Sequence, residues 1–488
     1  MSGPSSRIPF SQAMLITLGF GLIYLAFLPP GIYSLDGNGM LAVAESLVAH
    51  HSWAVPAELG LPGRDGQFFG KWYPLLSILA VPFVGVATQA AHILGVPVHY
   101  LAAILSLTLP VAFGAATATL VLLISLRLGS FPKGAILAAL SYAFGTIALA
   151  YARTFYAEPL LALLTVGAIY AALGASPREV ACAGICATLA VLAKPTGILV
   201  GPILAVYLLA KSGSWRLSVI PALGSFAGLV VYCMYNYQRF GNPLTFGQPW
   251  SFAITAVPGG LVGLLLSPGR GLLWYCPPIL LSGVAFRKAR RVNFSAAMLI
   301  VAVFAGFLLL HALWSFWSGG WSWGPRFLLP AIPGLSALLG VLETHWRRTL
   351  VGLTVIGFLI NAPTLVSYYE RYYAEMNEQQ VPEHEMLWSF SRAPFLHIWP
   401  AAVRQIADAR RSEVRDLLSQ RGDSPASTVA SSRALRIVAL WWWVLPIAHI
   451  SRAIGAGFSI LLLGCGCVLL LRQFRGLLTV PPNETALE

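Results

Sequence analysis

Charge is what this sequence has least of. Only 10% of its 488 residues are Asp, Glu, Lys or Arg, against 57% hydrophobic residues and a mean hydropathy of +0.74. Soluble domains carry about 25% charged residues, so more apolar sequence is present than a water-soluble core could bury, and a soluble fold is excluded. The 31 basic residues against 18 acidic ones give a net charge of +13. They lie in short clusters between apolar runs and form no stripe, which excludes nucleic acid as a partner and reads as membrane topology. The six cysteines, Cys182, Cys186, Cys233, Cys276, Cys465 and Cys467, sit in or beside apolar runs without metal-site spacing, and are expected to be small lipid-phase residues. No small-residue cleavage site follows the apolar stretch after Arg7 before Leu28, Pro29 and Pro30, which predicts an uncleaved first span. Internal repeats are absent, as is any sign of a soluble doubly wound nucleotide-binding domain.

What is present is a series of apolar segments. A span needs about 20 apolar residues, fewer where it ends in a cavity, and on that rule the chain is an all-α polytopic membrane protein with roughly 12 transmembrane helices. The candidates are 12–33, 99–126, 134–150, 159–173, 180–193, 197–210, 217–237, 271–286, 294–313, 327–342, 350–364 and 454–471. Basic residues orient them: Arg7, Arg127 with Lys133, Arg178, Lys211 with Arg216, the run 287–291, Arg347 with Arg348, and Arg472 with Arg475 are expected on the cytoplasmic side. Parity then requires that 72–94, interrupted by Pro74, Pro82 and Gly85, does not cross completely, and that the stretch around Trp441, Trp442 and Trp443 lies at the interface. The expected division is a membrane core over 1–366 with an external loop 34–73, an external amphipathic cap over 367–434, and an interfacial Trp-rich helix, last span and cytoplasmic tail over 435–488. Two short motifs, Asn483-Glu484-Thr485 and Arg421-Gly422-Asp423, are short enough to occur by chance.

With acids so scarce, position gives them meaning. Only seven precede Ser367: Asp36, Glu45, Glu58, Asp65, Glu158, Glu179 and Glu343. Asp36 follows the first span, where a partly desolvated carboxylate suits a general base; the plainer alternative is a helix N-cap. Glu158 opens a span and is preceded by Arg153, so it is either a functional intramembrane acid or half of an ion pair with that arginine. Lys71, Lys194, Arg270 and Arg326 fall on the opposite face from the basic clusters. Each alone reads as interfacial snorkelling, but as a set they offer forked and point-charge bonds to a phosphate. Arg326 ends a loop with four tryptophans, Trp314, Trp317, Trp321 and Trp323. Such a loop is an interfacial belt, a surface for sugar rings, or a grip on a lipid chain.

The order of these motifs resembles the polytopic, lipid-carrier-dependent glycosyltransferases of the GT-C superfamily, in the branch of protein O-mannosyltransferases and aminoarabinose transferases. The residues that carry the resemblance, over the first two thirds of the chain, are Asp36, then Trp53-Ala54-Val55-Pro56, then Lys71-Trp72-Tyr73-Pro74, Arg153 with Glu158, Lys194-Pro195, and Arg326-Phe327-Leu328-Leu329-Pro330. Many members carry Asp-Glu at the first acid, where this chain has Asp36-Gly37. It also has Asn38 where metal-dependent members have the second Asp of Asp-x-Asp, which puts a divalent metal in doubt.

The resemblance implies an inverting hexosyl- or pentosyltransferase in the plasma membrane, moving a sugar from a polyprenyl-phosphate carrier to an acceptor outside the cell. Asp36 and Glu158 would be catalytic, while Lys71, Tyr73, Arg153, Lys194, Arg270, Trp323 and Arg326 would bind substrate. Membrane lipids are the other expected partner, and no metal ligands are assigned. A transporter or flippase of a polar lipid or solute is the first alternative, though such proteins usually show internal repetition. A non-catalytic subunit of an envelope assembly complex is the second.

Overall fold

A computed structural model describes residues 8–245, 247, 251–408, 437–448 and 450–479. Among these the only strands are two short ones, β1 (Leu61–Pro62) and β2 (Phe68–Phe69), paired antiparallel in the first loop. The helices are α1 (Phe10–Ala26), α2 (Leu35–His50), α3 (Pro74–Leu94), α4 (Val98–Ser106), α5 (Thr108–Arg127), α6 (Pro132–Gly145), α7 (Ala148–Tyr151), α8 (Ala157–Gly174), α9 (Pro177–Ala193), α10 (Val200–Ser212), α11 (Trp215–Phe240), α12 (Val257–Leu266), α13 (Leu272–Tyr275), α14 (Ser282–Val292), α15 (Phe294–Ala312), α16 (Ile332–Leu338), α17 (Thr344–Asn361), α18 (Glu370–Glu378), α19 (Glu383–Trp388), α20 (Pro394–Asp408) and α21 (Arg452–Thr479). Eight helical segments among the described residues are long and apolar enough to cross a membrane, with shorter apolar helices, including α1, beside them. The chain is an all-α polytopic membrane protein, as its composition requires.

Helix ends meet as two clusters of charge. At one end Arg127 bonds Glu179 at 3.0 Å, Lys211 donates to the Leu173 carbonyl at 2.7 Å, and Lys288 bonds Glu343 at 3.0 Å. This is the basic end, and it holds Arg127, Lys211 and Lys288 of the residues expected on the cytoplasmic side. At the other end of α8 and α9 lie Glu158 and Lys194, 2.7 Å apart.

Two expected spans are not continuous helices. The 271–286 segment is α13, a 3-10 turn over Pro277–Leu281 and the start of α14. Pro277 and Pro278 lack the amide hydrogens a helix needs there. The 327–342 segment is likewise divided into a 3-10 turn at Arg326–Leu328, α16, and a second turn at Leu339–Val341. The second path is buried within the bundle, where irregular backbone is tolerated because lipid does not reach it.

The 72–94 stretch differs in another way. Pro82 does not break it, and α3 is 21 residues long and apolar enough to span. It packs against α4, which runs on with α5 as one apolar segment over Val98–Arg127. Trp441–Ala448 forms a 3-10 turn with half-buried tryptophans, and its Trp441 amide donates to the Leu28 carbonyl at 2.7 Å. Of the expected cap, α18 and α20 are amphipathic helices with the short α19 between them; residues 409–436, with Arg421-Gly422-Asp423, and the sequon at Asn483 lie outside the described residues.

Candidate active site

The cavity opposite the basic end has a volume of about 400 Å³. Its charged lining is Asp36, Lys71, Glu158, Lys194, Arg326 and Glu370, delivered by separate stretches of chain. Aromatic walls come from Trp72, Tyr73, Tyr156, Trp314, Phe316, Trp321 and Phe327.

Asp36 lies in the first turn of α2, but the cap of that helix is Ser34, whose Oγ accepts from the Gly37 amide at 3.1 Å. The carboxylate of Asp36 is thereby left for other partners. Its Oδ1 accepts from Trp72 Nε1 at 2.9 Å and its Oδ2 from Arg326 Nη1 at 2.9 Å. The indole reaches it because α2 offers no side chain at Gly39, where a Cβ would fall 1.9 Å from the Trp72 ring. Gly37 has a similar cause: a Cβ there would lie 2.9 Å from the Phe155 carbonyl oxygen and 2.6 Å from Ile32. The glycine that departs from the Asp-Glu pattern is thus imposed by packing. Burial alone would raise the Asp36 carboxyl, but Arg326, the Trp72 hydrogen bond and Lys71 outweigh it and hold it below the usual range.

Glu158 opens α8 with its side chain buried, and its Oε1 accepts from Lys194 Nζ at 2.7 Å. The Nε of Arg326 stands 3.7 Å from the same oxygen. Lys194 is presented by a helix break: Pro195 bars α9 from continuing, and Lys194 is extended at φ −164, ψ 132. Its ammonium also lies over the Phe327 ring, 4.2 Å from the centroid. Arg326, in the turn after Gly324 (φ +59) and Pro325, thus connects the two carboxylates, and the chain of charge runs Asp36, Arg326, Glu158, Lys194. Lys71 lines the same cavity with its ammonium 5.9 Å from the centre of the Trp72 ring and no ion pair among the described residues.

Three residues expected to touch substrate stand elsewhere. Arg153 is buried behind the cavity and donates to the carbonyls of Thr364 and Ala439; it does not pair with Glu158, whose partners are Lys194 and Arg326. Arg270 spends its guanidinium on the Ser318, Gly269 and Gly320 carbonyls and the Tyr373 hydroxyl. It positions the loop whose Gly319, Gly320 and Trp321 line the cavity. Trp323 is fully buried, donating from Nε1 to Asn361 Oδ1 at 2.7 Å and meeting Tyr275 edge to face. In each case backbone or side-chain acceptors engage the polar end of the side chain, so these residues shape the wall from behind. Trp314 and Trp321 are the loop's cavity-facing tryptophans, while Trp317 packs against Trp388.

No family model and no curated protein matches the chain. Among solved structures it is similar to ArnT from Cupriavidus metallidurans bound to undecaprenyl phosphate, at 18% identity over 94% of this chain and 78% of that one, with a TM-score of 0.48. It is also similar to the Archaeoglobus fulgidus oligosaccharyltransferase in the apo form, at 13% identity over 77% of this chain and 59% of that one, with a TM-score of 0.44.

Two cavity residues escaped the sequence reading. Tyr156 faces Arg326, with the guanidinium 4.9 Å from its ring centre. Glu370 is buried (4% exposed), and burial pushes its carboxyl up to about 7. It belongs to the acid-rich stretch beyond Ser367, where one more carboxylate is no signal. Among the described residues no group of three or more His, Cys, Asp or Glu is arranged to hold a metal ion.

Proposed function

We propose that this protein is an inverting glycosyltransferase that takes a sugar from a polyprenyl-phosphate carrier and transfers it to an acceptor at the outer face of the plasma membrane. The observation that carries this reading is one cavity holding a low-pKa carboxylate, two ion-paired cations and an uncommitted lysine within aromatic walls. In the proposed orientation the basic end is cytoplasmic and the cavity external.

The cations would bind the carrier phosphate. As the sugar C1–O bond breaks, its electron pair stays on the phosphate, and Lys71, Lys194 and Arg326 would stabilise the growing charge in a site partly shielded from water. The acceptor hydroxyl attacks C1 from the opposite face, and its proton passes to Asp36. Because Arg326 keeps Asp36 ionised, it is a weak base that is always ready, suited to taking the proton late, as the hydroxyl becomes acidic on bond formation. Glu158 would hold Lys194 and Arg326 in place, and Trp314, Phe316 and Trp321 would face the sugar or the first isoprene units. The motif order described above supports the same reading.

The test is transfer from a labelled polyprenyl-phosphate sugar pool in membranes carrying equal amounts of the wild type or Asp36→Asn. The expected loss in the variant is roughly 100-fold or more, as removal of a general base costs. Equal rates would sink the role of Asp36, and a wild type that moves label across the bilayer without breaking the sugar bond would replace the transferase by a transporter.

A further inference from the structure

Glu370 opens α18 and lines both the main cavity and a second one of about 30 Å³ behind it, which Ser34, Leu107, Arg153 and Thr154 help to enclose. Its Oε2 is buried without a hydrogen-bond partner. An ionised carboxylate in that position would hold a charged, desolvated oxygen unpaired, which is costly; a neutral carboxylic acid there costs far less. The groups that face it are Arg153 from the segment before α8, Arg326, Tyr156, and Tyr369 and Tyr373 from its own neighbourhood. Arg153 is committed to two carbonyls and Arg326 to Asp36, so neither forms an ion pair with it.

The charge balance of the cavity gives this residue its importance. Lys71, Lys194 and Arg326 stand against Asp36 and Glu158, which leaves one positive charge in excess if Glu370 is neutral and none if it is ionised. A phosphodiester linking lipid and sugar carries one negative charge. We propose that Glu370 is a protonated carboxylic acid in the anion-bound site and donates its hydrogen to a phosphate oxygen of the carrier, so that the grip on the anion weakens when this proton is lost. This rests on the phosphate-carrier reading above. The midpoint near 7 that burial gives Glu370 places the change in the neutral range, and the other groups facing it do not titrate there: Tyr373 is pushed to about 12 and Arg153, lowered by its own burial, only to about 10.

The experiment is equilibrium binding of a polyprenyl methyl phosphodiester to the full chain in nanodiscs from mildly acidic to mildly alkaline pH. The charge of that probe does not change over the range. The wild-type Kd is expected to rise about tenfold or more as the pH climbs past the Glu370 midpoint, since a like charge is added a few ångströms from the phosphate, and Glu370→Gln is expected to be flat. Parallel pH dependence in both proteins overturns the proposal but leaves the carrier reading intact, whereas a wild type that binds no diester at any pH overturns the carrier reading. Should the Gln variant not fold, the infrared carbonyl band of a protonated acid in the wild type replaces it. That band is expected in acid, lost in alkali and shifted by the diester; its absence in acid overturns the proposal.

Discussion

Both ends of the bundle are closed by ion pairs, and the two sets differ in how much water they keep. At the basic end Lys288 and Glu343 are 43% and 53% exposed, and Arg127 with Glu179 is partly exposed. At the cavity end Lys194 and Glu158 are 7% and 4% exposed, and Arg326 ties that pair to Asp36. Pairs in water add little and bind nothing that water does not already solvate. Pairs out of water are expensive to break and electrostatically strong, which suits a site where charge must be moved. The same residue types therefore form solvated pairs at one end and a candidate site at the other.

The sharpest way to break the comparison is to unpair one partner at each end. Lys194→Met leaves Glu158 buried with only the more distant Arg326, and is expected to destabilise the protein by about 3–5 kcal/mol. Chemical unfolding in micelles would measure this, and the double variant Lys194→Met, Glu158→Gln should recover most of the loss. A single variant as stable as the wild type would show that the cavity pair is as wet as the basic-end pairs.

A smaller effect separates two acids within the cavity end. Glu370 has a folded-state pKa of about 7 against an ordinary 4.5. Its contribution to stability is present below the unfolded value and is lost as pH rises through the folded one, over about pH 4.5 to 7. The full shift corresponds to about 3 kcal/mol as an upper figure. Glu370→Gln should remove that slope and be the more stable protein in mild alkali. Asp36 has the opposite sign: its pKa is depressed, so its contribution persists in neutral solution and is lost only as pH falls through the folded value. Unfolding midpoints against pH for the two single variants would distinguish them, and identical slopes would refute the assignment.

The least effect is expected at the basic end. Glu179→Gln should cost no more than about 1 kcal/mol and lose even that in high salt. Lys288→Met should leave the unfolding midpoint unchanged.

Much of this division was legible in the sequence because charge is rare there and apolar runs fix where it can sit. Asp36, Lys71, Tyr73, Glu158, Lys194 and Arg326 all fall at the boundaries of apolar segments, and the fold gathers them around one cavity. What spacing does not encode is the direction of a side chain once the backbone bends. Arg153, Arg270 and Trp323 sit in equally conspicuous motifs, yet turn to loop carbonyls and Asn361. Hydropathy predicts simple spans over 271–286 and 327–342, where the paths are broken, because it does not record which prolines interrupt a helix and which, like Pro82, are absorbed by it. Glu370 was hidden for the converse reason, standing among many acids.

The chain of charge from Asp36 to Lys194 also bears on which anions can compete for the site. A small anion arriving from solution meets one uncommitted ammonium, on Lys71, and must strip the remaining cations from carboxylates that already hold them. A phosphate delivered on a membrane-embedded tail comes at a far higher local concentration, and can bear that exchange. On the proposed function, inorganic phosphate and sulfate are expected to be poor inhibitors, and tail length rather than headgroup charge is expected to govern potency among competing lipid phosphates.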